Sequence, residues 1–167
     1  KDTLLLNQPH IFMNDILGNL VFEDGLKCDY RSTNVQIKLI EICFKLKPLI
    51  NKLDFQSNPL PVQLECVRTI RKCLDMISFD KGTVKNVIAD RCKVDSIGKM
   101  AIRGQGNCHG CSSVMAAFLY PFRNILGIDL KYRGGYSFAV ESSEIVKNEV
   151  ERHQWLEITC RPSMESF

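Results

Sequence analysis

Apolar positions along the chain fall into several distinct patterns. Val62, Cys66, Ile70, Cys73 and Ile77 step by 4, 4, 3 and 4 residues. That is one face of a 3.6-residue period, and it predicts an amphipathic helix over about 61–78. Glu65, Arg68, Arg71, Lys72 and Asp75 cover the rest of its surface. Residues 33–53 carry apolar Ile37, Ile40 and Phe44 and, beyond them, Leu49 and Leu53. They predict a second helix, capped by Ser32 or Thr33 and kinked or split at Pro48. The run Ser112-Ser113-Val114-Met115-Ala116-Ala117-Phe118-Leu119 is apolar almost all round, which predicts a buried helix. A shorter helix is expected around 83–91, and residues 128–140 and 152–160 read as strands. The first 31 residues show no clear period beyond the short runs Ile11-Phe12-Met13 and Leu20-Val21-Phe22 and a turn at Glu23-Asp24-Gly25. The expectation is one α+β domain spanning 1–167. It has a helical N-terminal portion over 1–60 and a core over 61–167, with the buried helix packed on an antiparallel sheet. No internal repeat or domain boundary is visible.

Composition changes this picture little. Of 167 residues, 45% are apolar and 25% charged, the balance of a globular domain rather than a disordered or collagen-like chain. The net charge of +3 is too mild to argue for a nucleic-acid or membrane surface. No apolar stretch approaches 18 residues, and Leu4-Leu5-Leu6 is too short for a signal peptide. The chain begins Lys1-Asp2 and reads as an excised part of something longer.

Cysteine is the unusual residue, with eight in the chain. A domain of this length folds without staples, no Asn-x-Ser/Thr acceptor occurs, and Cys66 and Cys73 lie on a core-facing helical stripe. Reduced thiols in an intracellular, cytoplasmic setting are therefore expected.

The chemistry concentrates in Gln105-Gly106-Asn107-Cys108-His109-Gly110-Cys111, which leads into the buried helix. A Gly-rich turn before a helix places Cys108 at or near the helix N-terminus, where free N–H groups and the macrodipole favour a thiolate. Gly104 and Gly106 would let the backbone approach a substrate carbonyl. A nucleophilic thiolate needs a base. His109 is adjacent to Cys108, and successive helix residues do not face one another. His10 has no chemical company. His153 begins His153-Gln154-Trp155-Leu156-Glu157-Ile158-Thr159-Cys160, where strand alternation puts His153, Trp155, Glu157 and Thr159 on one face and Leu156, Ile158 and Cys160 on the other.

The ordered set Gly106-Asn107-Cys108, Gly127-Ile128, Gly135-Tyr136 and His153-Gln154-Trp155-Leu156-Glu157 resembles the transglutaminase-like superfamily. The glycine lies 127 − 108 = 19 residues past the cysteine and the histidine 153 − 108 = 45 past it, both suited to that family. The resemblance covers residues 102–160. It implies a papain-like α+β fold, Cys108 as nucleophile, His153 as general base and acid, and a thioester intermediate. The acyl group would come from a protein or peptide amide and pass to water or to an amine. The backbone N–H of Cys108 would serve the oxyanion. By analogy with papain-like enzymes Gln105 would add a side-chain donor. Asn107 and His109 are further substrate-contact candidates, with His109 at the polar rim. Trp155 reads equally as a wall over the acyl group and as core packing. No cofactor is expected, since no loop has calcium-ligand spacing.

The family's third catalytic residue, an Asp on the following strand, has no counterpart, because no Asp follows Asp129. Glu157 lies roughly 13 Å from His153 along the strand. If Arg161 to Met164 form a four-residue loop, residue 165 faces 160 and position 172 faces His153. The orienting Asp is then expected beyond Phe167. Other readings stay open. Cys108-His109-Gly110-Cys111 is also a Cys-x-x-Cys, compatible with a redox pair or with zinc shared among Cys92, His153 and Cys160. Cys111 reads most simply as a core residue beneath Cys108. Transglutaminase-like domains can also be inert binding modules.

Overall fold

The computed structural model describes residues 2–5, 8–10, 13–14, 18–22, 25–78, 95–106, 108–141, 144–145 and 151–167. The helix expected at 83–91 lies outside them. In chain order the elements are β1 (Asp2–Leu5), β2 (Gln8–His10), β3 (Met13–Asn14), β4 (Asn19–Val21), β5 (Lys27–Asp29), α1 (Thr33–Ile50), α2 (Leu60–Leu74) and β6 (Ile77–Ser78). There follow α3 (Ser96–Arg103), β7 (Gln105–Gly106), α4 (Cys108–Leu119), a 3-10 turn (Tyr120–Phe122), α5 (Arg123–Leu126), β8 (Ile128–Glu141), β9 (Glu144–Ile145), β10 (Glu151–Cys160) and β11 (Glu165–Ser166). Mixed helix and antiparallel sheet confirm the α+β class.

The main sheet is built on β8. One edge of β8 pairs antiparallel with β1 and β2, and the other with β10, which passes on to β11. This corrects the helical N-terminal portion expected over 1–60. Its apolar runs are too short for a helical period, and an edge of β8 supplies ladder partners for Asp2–Leu5 and Gln8–His10. A second small antiparallel sheet joins β3, β4 and β5. Only from Ser32 does this region turn helical.

Ser32 has extended backbone and accepts the Val35 N–H at 3.3 Å, an N-cap for α1. Pro48 falls in the last turn and neither kinks nor splits the helix, which ends two residues later. The apolar face differs from the expected one. Ile37, Ile40 and Phe44 are more than half exposed, while Val35, Ile42 and Leu46 are fully buried and Leu39 and Leu49 partly so. The helix carries two apolar rows, and the one spaced 4, 3, 4 and 3 packs on α2 and α3.

The stripe on α2 holds for Cys66, Ile70 and Cys73 but stops before Ile77. Asp75 adopts the left-handed region (φ 42°), which ends the helix, and Ile77–Ser78 then pair in parallel with Gln105–Gly106. Lys38 on α1 lays its ammonium on the Cys73 carbonyl at 2.9 Å, serving an orphan acceptor at the end of α2. Gln63 is fully buried and its Nε2 donates to the Leu126 carbonyl at 2.9 Å and the Arg161 carbonyl at 2.6 Å. One amide thus joins α2 to the exit of α5 and to the turn after β10.

Helix α4 is the centre of the molecule. Val114, Ala116, Ala117, Phe118 and Leu119 have no exposed surface, matching the all-round apolar run. It lies between β10 and β8 on one side and α2 and α3 on the other. The β10–β11 turn spans Arg161–Met164, with Cys160 opposite Glu165 and Thr159 opposite Ser166. Ile158 and Phe167 exchange backbone hydrogen bonds of 2.8 and 2.9 Å. The pairing of residue 165 with 160 is the counted register.

Candidate active site

The chain reaches α4 through two glycines with different tasks. Gly104 ends α3 in the left-handed region (φ 70°). Gly106 is buried against the first turn of α4: a Cβ there would meet the Cys111 nitrogen at 3.1 Å and the Gly110 carbonyl carbon at 3.2 Å. It serves close packing of strand on helix, not the approach of a substrate. Cys108 occupies the first position of α4, as the turn-before-helix pattern predicts. Asn107 lies outside the described residues. Gln105 is exposed on β7; since Gly106 faces the helix, strand alternation turns Gln105 away from it.

His109 corrects the expectation of a rim residue. It is 7% exposed and sits beneath the helix start, with Nδ1 3.3 Å from the Tyr132 hydroxyl. That hydroxyl is also 2.9 Å from Ser113 Oγ, 3.2 Å from the His109 carbonyl and 3.5 Å from Gln154 Oε1. A buried polar network therefore pins the first turns of α4 to β8 and β10. Sequence reasoning missed Tyr132, Ser113 and Gln154. The signal was a tyrosine at an inward strand position, with a serine inside an otherwise apolar helix.

Alternation along β10 follows the expected faces except at Leu156, which is half-buried, and Thr159, which is buried. Gln154, Ile158 and Cys160 are buried, while His153, Trp155 and Glu157 are half-buried on the opposite face. His153 and Trp155 stack with ring centroids 5.9 Å apart and 20° between planes. Across the ladder His153 meets Gly135 and Gln154 meets Gly134, so no β8 side chain stands directly opposite either. Glu157 is taken by Arg133, with contacts of 2.6 and 3.3 Å. The guanidinium holds its carboxyl below the usual range.

The helix meets this strand next to the imidazole. Ser112, one turn after Cys108, donates to the Gln154 carbonyl at 3.2 Å. Gln154 faces α4 and His153 the opposite side of β10, so the start of α4 and the imidazole do not share one sheet face. Among the described residues β11 pairs only with the far end of β10, so the edge beside His153 carries no further strand.

The thiols divide sharply. Burial pushes Cys28, Cys73 and Cys160 above the ordinary thiol range, and Cys66 to about 11. These four hold their protons at neutral pH. Cys43 is exposed. Cys111 is half-buried, not a core residue: its thiol donates to the Gly106 carbonyl at 3.3 Å and lines a cavity of about 660 Å³ with Met115, Met76, Arg68, Arg71 and Lys72. Cys28, Cys43, Cys66, Cys73, Cys111 and Cys160 are free thiols. Among the described residues no group of three or more His, Cys, Asp or Glu is placed to share a metal ion; Cys92, in the zinc reading, lies outside them. No described helix is long and apolar enough to cross a membrane. Comparison with protein-family models, with curated proteins and with solved structures gives no match.

Proposed function

We propose that this chain is a transglutaminase-like domain with a papain-like core, performing thiol-dependent acyl transfer or hydrolysis at an amide of a protein or peptide. Cys108 is the nucleophile and His153 the general base and acid. One observation carries the reading. The helix that begins at Cys108 is fastened, one turn later, to the carbonyl beside His153. A thiolate at a helix N-terminus is stabilised by the dipole and by unsatisfied N–H groups. The same N–H groups suit the oxyanion of a tetrahedral intermediate. The imidazole removes the thiol proton across the open strand edge and returns it to the leaving amine. Water or an amine then releases the acyl group.

A second reading is favoured by the placement of His153. It stacks on Trp155 at the outer face of β10, a surface suited to protein binding without catalysis. Alkylation with iodoacetamide separates the two. The enzyme reading expects Cys108 to react far faster than exposed Cys43, with that advantage lost in His153→Ala. Equal rates at Cys108 and Cys43 leave the binding module.

A further inference from the structure

Resting on the acyl-transfer reading, we infer that the cavity beside the helix start seats an acidic side chain of the protein or peptide substrate, two to three residues from the acyl-donating one. The cavity of about 660 Å³ is of the size that holds a ligand group. Arg68, Arg71 and Lys72 stand round it against one carboxylate, Asp75. The whole chain has 22 cations and 19 carboxylates, so this local excess does not simply mirror composition.

The cations are available. Among the described residues Arg71 and Lys72 have no ion-pair partner, and Arg68 meets Glu65 at 4.0 Å. Cations in the last turn of α2 also complement its dipole. The dipole does not account for the apolar floor beneath them. Leu74, Met76, Met115 and the Cys111 thiol supply that floor, adaptable surface for the aliphatic stem of a glutamate. A second cavity, of about 380 Å³, shares Arg68 and Arg71 and runs past Leu64 to Phe167, continuing the groove along α2.

Spacing fixes the position. Cys111 and Met115 lie three and seven residues after Cys108, about 5 and 10 Å along the helix axis. An extended peptide advances about 3.3 Å per residue. A substrate acylating Cys108 and running along this wall brings its second or third neighbour under the cations.

The test uses Cys108→Ser protein and fluorescein-labelled alanine-glycine peptides with one central Gln. Glu, Gln or Lys is placed in turn at each of the four positions on either side. Fluorescence anisotropy at low salt should show Glu binding about tenfold more tightly than Gln at the second or third position on one side. The advantage should shrink with added salt and reverse toward Lys in Arg71→Glu, with Lys72→Glu as the second variant. Equal or undetectable binding of the three peptides, or a Glu preference untouched by both variants, overturns the inference. The enzyme reading fails separately. Ordinary iodoacetamide reactivity at Cys108 with the Glu preference intact supports an acid-binding cavity on a non-catalytic module.

Discussion

The two walls beside helix α4 are built on opposite principles. On the sheet side, buried His109, Ser113 and Gln154 converge on the buried Tyr132 hydroxyl, and Ser112 adds a tie to the Gln154 backbone. On the α2 side, Arg68, Arg71 and Lys72 stand exposed over a cavity floored by thioethers and a thiol. A buried hydrogen-bonded network fixes geometry, because each member has a large penalty for moving. Exposed cations over an open floor adapt at little cost. The first wall can set where a nucleophile stands, and the second can choose what approaches it.

The comparison breaks most readily at the nucleophile. Cys108→Ala should remove acyl turnover of a Gln peptide by a thousandfold or more, measured as ammonia or crosslink formation, with the melting temperature little changed. His153→Ala should cost about a hundred- to ten-thousandfold in kcat/KM for the same peptide. A His153→Ala variant that kept its turnover would overturn the assignment of His153 as base.

The rigid wall is sharpened by Tyr132→Phe. Removing one hydroxyl leaves buried His109, Ser113 and Gln154 without a shared partner, at a cost of about 1–3 kcal/mol by urea unfolding. A loss below about 0.5 kcal/mol would show that the network does not hold the helix. Gly106→Ala tests the strand-to-helix packing. Its Cβ would press on helix backbone at 3.1 Å, and a destabilisation of about 1–3 kcal/mol is expected, with slower turnover if the helix start shifts.

The smallest effect belongs to the outer face of the sheet. Arg133 depresses the Glu157 carboxyl, so the pair stabilises the fold above the unfolded carboxylate range and its contribution disappears as pH falls through the lowered native value. Both side chains retain solvent contact, at 19% and 28% exposure, which limits the gain to about 0.2–1 kcal/mol. Glu157→Gln should therefore lower stability slightly at pH 7 and leave it unchanged near pH 2, as read by thermal melts.

What the sequence revealed depended on how local its cause was. The α2 stripe through Cys66, Ile70 and Cys73, the helix start at Cys108, the alternation of β10 and the four-residue turn before Glu165 all follow from short-range periods and turn chemistry. The misjudged features depend on distant partners. Val35 and Ile42, not Ile37 and Phe44, are buried because α2 and α3 lie on that side of α1. Asp2–Leu5 and Gln8–His10 are strands because β8 offers an edge more than 120 positions later. His109 reads from sequence as a rim residue because nothing near it in the chain announces Tyr132. The half-exposed setting of Cys111 likewise depends on the end of α2, some 36 residues earlier.

Gln63 has a consequence for time rather than for shape. Its single amide closes chain separations of 63 and 98 residues. Contacts across such spans are expected to form late, so Gln63→Ala should speed unfolding and leave the folding rate nearly unchanged in stopped-flow kinetics. Among the described residues its Oε1 has no hydrogen-bond partner, so the amide is held by its donors alone. Such a late clasp leaves the folding rate nearly untouched and acts on escape. The helix that carries Arg68 and Arg71 and the strand that carries His153 stay together because the amide between them is slow to let go.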